Sequence, residues 1–177
     1  MIIDVGIALA KVFENLTINV DNQAVSVKFH FGDQKEFNKW QLEKMRYQVQ
    51  KYPLIWLAPQ GQYQTQKNKT IDVESELILF MGTEQNYNNT ERYTHNYLTY
   101  LKPLTELVER VLSRHQFIQL YERPINYFDE PNFGTNNDAD FDSSSSKKKD
   151  PKSITIDIVD ARILKIKLNI NVNCIIT

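Results

Sequence analysis

The most constraining feature of the sequence is a strict two-residue alternation near its C-terminus. Apolar side chains hold the even-numbered positions in residues 154–158 and again in residues 164–174. The odd-numbered positions of the second stretch carry polar side chains: Lys165, Lys167, Asn169, Asn171 and Asn173. A period of two is typical of a strand with one buried face and one polar face. We therefore predict one long two-faced strand here, or two strands bent at residues 159–162.

The first third of the chain mixes both periods. Apolar residues at three- and four-residue steps predict a helix over residues 2–16. Alternation over residues 25–31 predicts a strand with one apolar face. Asp33 and Glu36 then form a capping-box pattern that predicts a second helix, and Pro53 ends this element because the residue before proline disfavours the helical region.

The middle of the chain contains apolar runs separated by polar sequence. Residues 54–57 are apolar and predict a short buried strand. Residues 60–69 are polar and glutamine-rich and predict an exposed loop or a hairpin arm. Residues 71–81 begin with alternation and end in a continuous apolar run. Such a run predicts a strand whose second half is buried on both faces.

A long helix is predicted from Thr90 as its cap to about Arg114, with a kink at Pro103, which lacks the N–H that a helix needs. Residues 117–121 return to a strand pattern, and residues 126–152 contain a low-complexity loop. The order of elements predicts a single α+β domain over residues 1–177. We expect a mostly antiparallel twisted sheet with helices packed on one face.

Composition excludes several classes of function. Lysine and arginine number 21 against 22 aspartates and glutamates, a net charge of −1, which argues against nucleic-acid binding by bulk positive charge. The single cysteine, Cys174, rules out an internal disulfide, and its apolar parity predicts a buried side chain. No apolar run approaches the ~20 residues that span a bilayer, so we expect no membrane contact and a reducing, cytosol-like compartment.

Catalytic and cofactor motifs are weak. The five glycines are too scattered for a phosphate-binding loop, so no cofactor is predicted. Asp138, Asp140 and Asp142 resemble half of a calcium loop, but Ser143 and Lys149 stand where the glycine and the glutamate belong. We therefore predict no metal site and no catalytic residue.

Two other functions stay open as alternatives. Three carboxylates on one strand face could serve a small metal-dependent nuclease or other hydrolase. They are Asp72, Glu74 and Glu76. The basic run Lys147, Lys148 and Lys149 could serve a DNA-binding accessory protein.

Three stretches carry a resemblance to a known family. They are the segment ending in Lys51–Leu57, the turn from Glu91 through Tyr97 to Leu104, and the last alternating strand, 164–172. With these stretches the chain resembles the tail terminator and tail-completion proteins of tailed bacteriophages, including neck and tail ring proteins of crAss-like podoviruses. The resemblance implies a tail-terminator-like fold and a non-catalytic ring of six or twelve copies at the head–tail junction or tail barrel. It also implies residence in the virion after assembly in the host cytoplasm, beside portal, neck and tail proteins, with DNA passing through the lumen without sequence-specific binding.

An assembling subunit needs contact surfaces, and the sequence offers three. The polar arm 60–69 and the 126–152 loop are candidates for contacts with adjoining rings. The asparagine row of the last strand could face a neighbouring copy, and an ordinary solvated sheet face is the alternative. The predicted contact residues are Gln62, Tyr63, Gln64, Asp138, Asp140, Lys147, Lys148, Lys149, Asn169, Asn171 and Asn173.

Overall fold

The computed structural model describes residues 2–46, 50–66, 70–83, 87–133 and 158–176. The helices are α1 (Ile2–Val12), α2 (Gln34–Arg46), α3 (Asn89–Arg92), a π-helix (Tyr93–Leu101), α4 (Lys102–Arg114) and α5 (Val172–Ile176). The strands are β1 (Thr17–Val20), β2 (Gln23–Ser26), β3 (Lys28–Phe31), β4 (Leu54–Thr65), β5 (Ile71–Gly82), β6 (Ile118–Leu120), β7 (Asn126–Glu130) and β8 (Val159–Ile170). They form a single α+β domain.

A mixed six-stranded sheet organises the fold. Its strands follow the order β3-β4-β5-β8, with β6 and β7 both paired to the far side of β8. The pairing of β3 with β4 is parallel and the other pairings are antiparallel. The predicted antiparallel character therefore holds for most of the sheet and is wrong at the β3 margin, where α2 connects two parallel strands.

Helices cover both faces of this sheet, so the prediction that they pack on one face is wrong. Odd-numbered β5 residues such as Leu77 and Leu79 share a core with α1, the π-helix and α4. Even-numbered Ile78 and Phe80 pack instead against Phe37 of α2 in a second core. The apolar run at the end of β5 is thus buried on both faces, as its composition predicts.

The long helix begins two residues earlier than predicted, with Asn88 as its cap rather than Thr90. The Asn88 side chain accepts a hydrogen bond from the Glu91 backbone N–H, and the Glu91 carboxylate accepts one from the Asn88 N–H. Before Pro103 the backbone adopts the π-helical register, in which the Lys102 N–H donates to the Tyr97 carbonyl. The conflict expected at this proline is therefore accommodated by a change of helical register just before it.

The predicted strand over residues 25–31 is two strands. The Val27 N–H still donates to the Leu16 carbonyl before β1, whereas the Lys28 N–H donates to the Pro53 carbonyl before β4. The chain on one side of Val27 forms β2, which pairs with β1 in a separate two-stranded sheet. On the other side it forms β3 of the main sheet.

The last described strand, β8, is continuous from Val159 to Ile170, without the alternative bend at residues 159–162, and the first part of the predicted alternation, residues 154–157, lies outside the described residues. Its alternation ends early, because Asn171 caps α5 by accepting a hydrogen bond from the Cys174 backbone N–H. Asn171 and Asn173 therefore do not extend the row of Asn169, and that prediction is wrong. Cys174 is exposed rather than buried, because it lies on this terminal helix.

Two polar segments contain strands: the first was predicted as a loop or a hairpin arm and agrees with the second alternative, and the other was predicted as a loop. β4 continues through the polar sequence to Thr65, so the first part of the 60–69 arm is one half of a β-hairpin with β5. Residues 126–130, at the start of the predicted 126–152 loop, form β7 on β8. The side chains of β7 are largely exposed, so its sequence lacks the alternating apolar pattern that would predict a strand.

Candidate functional site

The sheet face that packs against α2 carries a polar surface on the half that no described helix covers. α2 covers this face at the end of β5 but not at its beginning, where side chains from three strands stand in rows. We call this surface the open face and define it by Gln62, Gln64, Asp72, Glu74, Glu76, Lys165, Lys167 and Asn169. The pairing of β4, β5 and β8 places Gln62 beside Glu74 and Lys167, and Gln64 beside Asp72 and Asn169.

Asp72 is the best-connected side chain of the open face. Its Oδ1 accepts hydrogen bonds from Asn169 Nδ2 at 2.7 Å and from the Tyr121 hydroxyl at 3.2 Å. The Gln66 side-chain amide donates to Oδ2. The donors stabilise the charged form, and the hydrogen bond from Asn169, first among them, holds the pKa of Asp72 below its ordinary value.

Lys167 links the second row to the margin of the sheet. Its Nζ lies 3.3 Å from Glu122 Oε1 and 3.4 Å from Glu74 Oε1. These two carboxylates raise the pKa of Lys167, with the hydrogen bond to Glu122 as the largest cause. All three side chains are exposed, so the attraction is screened by water.

Beside the open face lies an uncovered strand edge. We call residues 61–64 of β4 the β4 edge. Within the described part of the chain, this stretch pairs with β5 only, because β3 stops at the level of Leu57. Gly61 permits the close approach of the two strands, since a Cβ there would lie 2.6 Å from the Glu74 carbonyl oxygen.

The structure brings together four of the predicted contact residues. Gln62, Gln64 and Asn169 share the open face, and Tyr63 lies between the two glutamines but points to the opposite face. The Tyr63 hydroxyl donates to Ser75 Oγ at 3.3 Å, and partial burial raises its pKa. Asn171 and Asn173 lie apart at α5. The remaining predicted residues fall outside the described ranges: Asp138, Asp140, Lys147, Lys148 and Lys149.

A second polar region, not predicted from the sequence, lies inside the molecule between the helices and β8. We call it the buried charge cluster and define it by Arg92, Asn96, Asp129, Asp160 and Arg162. Asp160 Oδ2 accepts a hydrogen bond from Asn96 Nδ2 at 2.7 Å and lies 3.3 Å from Arg92 Nε. Asp160 Oδ1 accepts a further hydrogen bond from the Asn132 backbone N–H at 3.1 Å.

Arg162 completes this cluster two residues further along β8. Its guanidinium donates to both Asp129 carboxylate oxygens, at 2.6 and 2.9 Å, which is the fork geometry that arginine favours. The same group lies over the Tyr127 ring at 4.2 Å from the ring centre. The Tyr97 hydroxyl is buried with no hydrogen-bond partner, and its pKa is raised mainly by burial.

One sequence signal marks this cluster. Asp160 and Arg162 occupy the even-numbered parity of β8, which is otherwise apolar from Leu164 to Ile170. Two opposite charges in an apolar column indicate a buried pair, because single charges are rarely buried alone. Their partners on the helix and on β7 come from distant sequence and carry no comparable signal.

The carboxylates considered for a nuclease are all on the open face. Asp72 is held by three side-chain donors, and Glu74 lies beside Lys167. Among the described residues there is no group of three or more histidine, cysteine, aspartate or glutamate side chains positioned to hold a metal ion.

Comparison with known proteins gives no relatives. No family model matches the chain, and no curated protein or solved structure shows significant similarity to it. The described helices include none with the length and apolar character needed to cross a bilayer.

Proposed function

We propose that this chain is a non-enzymatic structural subunit that assembles with copies of itself through the margins of its sheet. In line with the resemblance of its sequence, we propose a ring at the head–tail junction or tail barrel of a tailed phage. DNA would pass through the lumen, and portal, neck or tail proteins would adjoin the ring. The uncovered β4 edge is the observation that carries this proposal.

An uncovered strand edge offers unpaired backbone groups to any other strand. Soluble proteins usually protect such edges with charged side chains, proline or a covering element. The 61–64 stretch has the sequence Gly-Gln-Tyr-Gln, without a charge or a proline. In a monomer such an edge favours aggregation, whereas in an assembly it can pair with a strand of a neighbouring subunit.

The open face supports the same proposal. Its charges are arranged in complementary rows, so they satisfy one another across strands instead of converging on one reactive point. A hydrated, mixed-charge surface suits either a wet interface or the wall of a water-filled passage. A nuclease would need carboxylates free to take a metal ion, and Asp72 is already the acceptor of three hydrogen bonds.

The proposal is tested by measuring the assembly state of the purified chain. Mass photometry and negative-stain electron microscopy across a concentration series, alone and with portal and tail proteins, should reveal closed rings. The variant Gln62→Lys/Gln64→Lys places two charges beside the β4 edge and should abolish or strongly weaken the rings.

A matched control is Asn19→Lys/Gln23→Lys, which adds the same charge to exposed positions on the separate β1–β2 sheet. This variant should assemble like the parent chain. A chain that stays monomeric with every partner, and is absent from purified virions, would remove the proposal. Metal-dependent DNA cleavage that is lost in Asp72→Asn would favour the nuclease instead.

A further inference from the structure

Resting on the proposed function, we infer that the β4 edge of one copy pairs antiparallel with the outer edge of β7 in the next copy. The two edges lie at opposite margins of the same sheet. A contact between opposite margins is heterologous, so each copy keeps one edge of each kind available and the contact can repeat around a ring.

β7 has the features of an unsatisfied edge. Among the described strands it pairs with β8 alone, and it leaves Tyr127 51% exposed and Phe128 44% exposed. These two rings lie on opposite faces of the strand, so no single helix could cover both. A strand laid along the outer edge would shelter parts of both rings. Residues 126–129 of β7 match the four residues of the β4 edge in length.

Continuity of the sheet faces selects the register of this contact. On β7, Asn126 and Phe128 lie on the same face as Lys165 and Ile163, which is the face of the open rows. An antiparallel arrangement that keeps the faces together leaves registers that differ by two residues, and we choose the one that puts Asn126 opposite Gln64 and Phe128 opposite Gln62. In this register Tyr127 lies opposite Tyr63, an aromatic cross-strand pair. Asp129 lies opposite Gly61, where no side chain obstructs it.

The same register has a geometric consequence for closure. Gln64 is level with Asp72 of β5, whereas Asn126 is level, through Lys165, with Glu76. Neighbouring copies are therefore offset by 76 − 72 = 4 residues along the strand direction. The repeat is four strand positions wide, counted as β4, β5, β8 and the shared position of β6 and β7. The offset is therefore one residue per strand. The eight-stranded barrel with a shear of 8 has the same ratio of shear to strand number, and its strands tilt by ~36°.

Disulfide trapping tests this contact. In a Cys174→Ser background, the double variant Gln64→Cys/Asn126→Cys carries one thiol on each margin. Within one copy the two positions are about three strand spacings apart across the sheet (~14 Å) and four residues apart along it (~13 Å), too far for an internal bridge. Mild oxidation should therefore give a ladder of covalent multimers on a non-reducing gel. The ladder should form about tenfold faster than in Gln64→Cys/Gln23→Cys, whose second thiol lies on β2, because a specific contact raises the effective concentration.

The outcomes separate the pairing of the β4 edge with β7 from the wider proposal that copies of the chain assemble into a ring. Rapid dimers from Gln64→Cys alone would show that two β4 edges pair with each other, and this contact would be wrong. Rings without a ladder, or equal rates in the control, would also overturn the contact while leaving assembly intact. A monomer that gives no ladder would overturn both.

Discussion

The open face and the buried charge cluster both include residues of β8 that are only a few positions apart, yet they differ in solvent exposure. Lys165, Lys167 and Asn169 stand on the part of one sheet face that none of the described helices covers. Asp160 and Arg162 point to the opposite face, beneath the π-helix and α4. The ion pairs of the open face are exposed to solvent, whereas the charges of the buried charge cluster depend on a small set of side chains held around them.

The difference indicates which region fixes the fold and which is available for contacts. The buried charge cluster joins α3, the π-helix, β7 and β8 through side chains that have few alternatives. Its Asp160 also binds the Asn132 N–H in the turn after β7, so the position of β7 depends on this carboxylate. The side chains of the open face do not hold a helix against the sheet in this way, so we expect that they can change partners when another chain approaches.

The largest expected effect comes from Asp160→Ala. The Asp160 side chain is fully buried and serves Arg92, Asn96 and the Asn132 N–H. Its removal leaves a buried guanidinium without its counter-charge, which should lower the free energy of unfolding by about 3–5 kcal/mol. Urea denaturation followed by circular dichroism measures this. Asp160→Asn, which keeps the shape, should lose less than Asp160→Ala; a loss below about 1 kcal/mol in both would contradict the role of the cluster.

A smaller loss is expected from Arg162→Lys. Lysine keeps the charge but cannot donate to both Asp129 oxygens, and it loses the stacking on Tyr127. Asp129 is 36% exposed and can be rehydrated, so we expect about 1–3 kcal/mol rather than the larger loss at Asp160. Urea midpoints compare the two variants directly. An Arg162 loss greater than the Asp160 loss would reverse this ranking of the two ion pairs.

Tyr97→Phe should leave stability unchanged or raise it by about 1 kcal/mol. The Tyr97 hydroxyl is buried without a partner, so its removal relieves a desolvated polar group. Tyr63→Phe is the matched control, because that hydroxyl does donate to Ser75, and it should lose about 1 kcal/mol. Thermal unfolding distinguishes the two. A clear loss in Tyr97→Phe would mean that the hydroxyl has a partner in solution.

The sequence predicts where several strands of this fold lie better than it predicts which strands pair with one another. Alternation identifies β8, and the apolar run in β5 indicates burial on both faces, because these signals are local. The parallel β3–β4 pair is not local, since α2 and the turn before Pro53 decide on which side β4 returns. The strand in residues 126–130 also escapes prediction, because an exposed edge strand needs no apolar pattern.

The site divides in the same way. Gln62, Gln64 and Asn169 share a face because strand periodicity fixes it. Asn171 leaves the face because its side chain caps α5, a local competition that parity alone does not show. Even the charges in the apolar parity of β8 identify neither Asn96 nor Asp129 as partners, because the π-helix and β7 bring those from separate segments.

The smallest effect belongs to the open face and concerns its pH dependence. The pKa of Asp72 is lowered in the folded state from its ordinary value of 3.8, first by the hydrogen bond from Asn169. A lowered carboxyl pKa gives stability that is present above the unfolded value and is lost as the pH falls through the folded value. The stability difference between the parent chain and Asp72→Asn should therefore be constant from pH 7 to about pH 5 and shrink below about pH 4.

Because Asp72 lies at the surface, this difference should be much smaller than the losses at Asp160 or Arg162. Urea midpoints at pH 3, 5 and 7 measure it, with Asn169→Ala as the background in which the main donor is missing. In that background the pH-dependent part should diminish. If the pH-dependent part of the stability difference persists unchanged, the Asp72 carboxylate is stabilised by something other than the Asn169 amide. The hydrogen bond between Asp72 and Asn169 would then contribute no more than the contacts of an ordinary solvated charge.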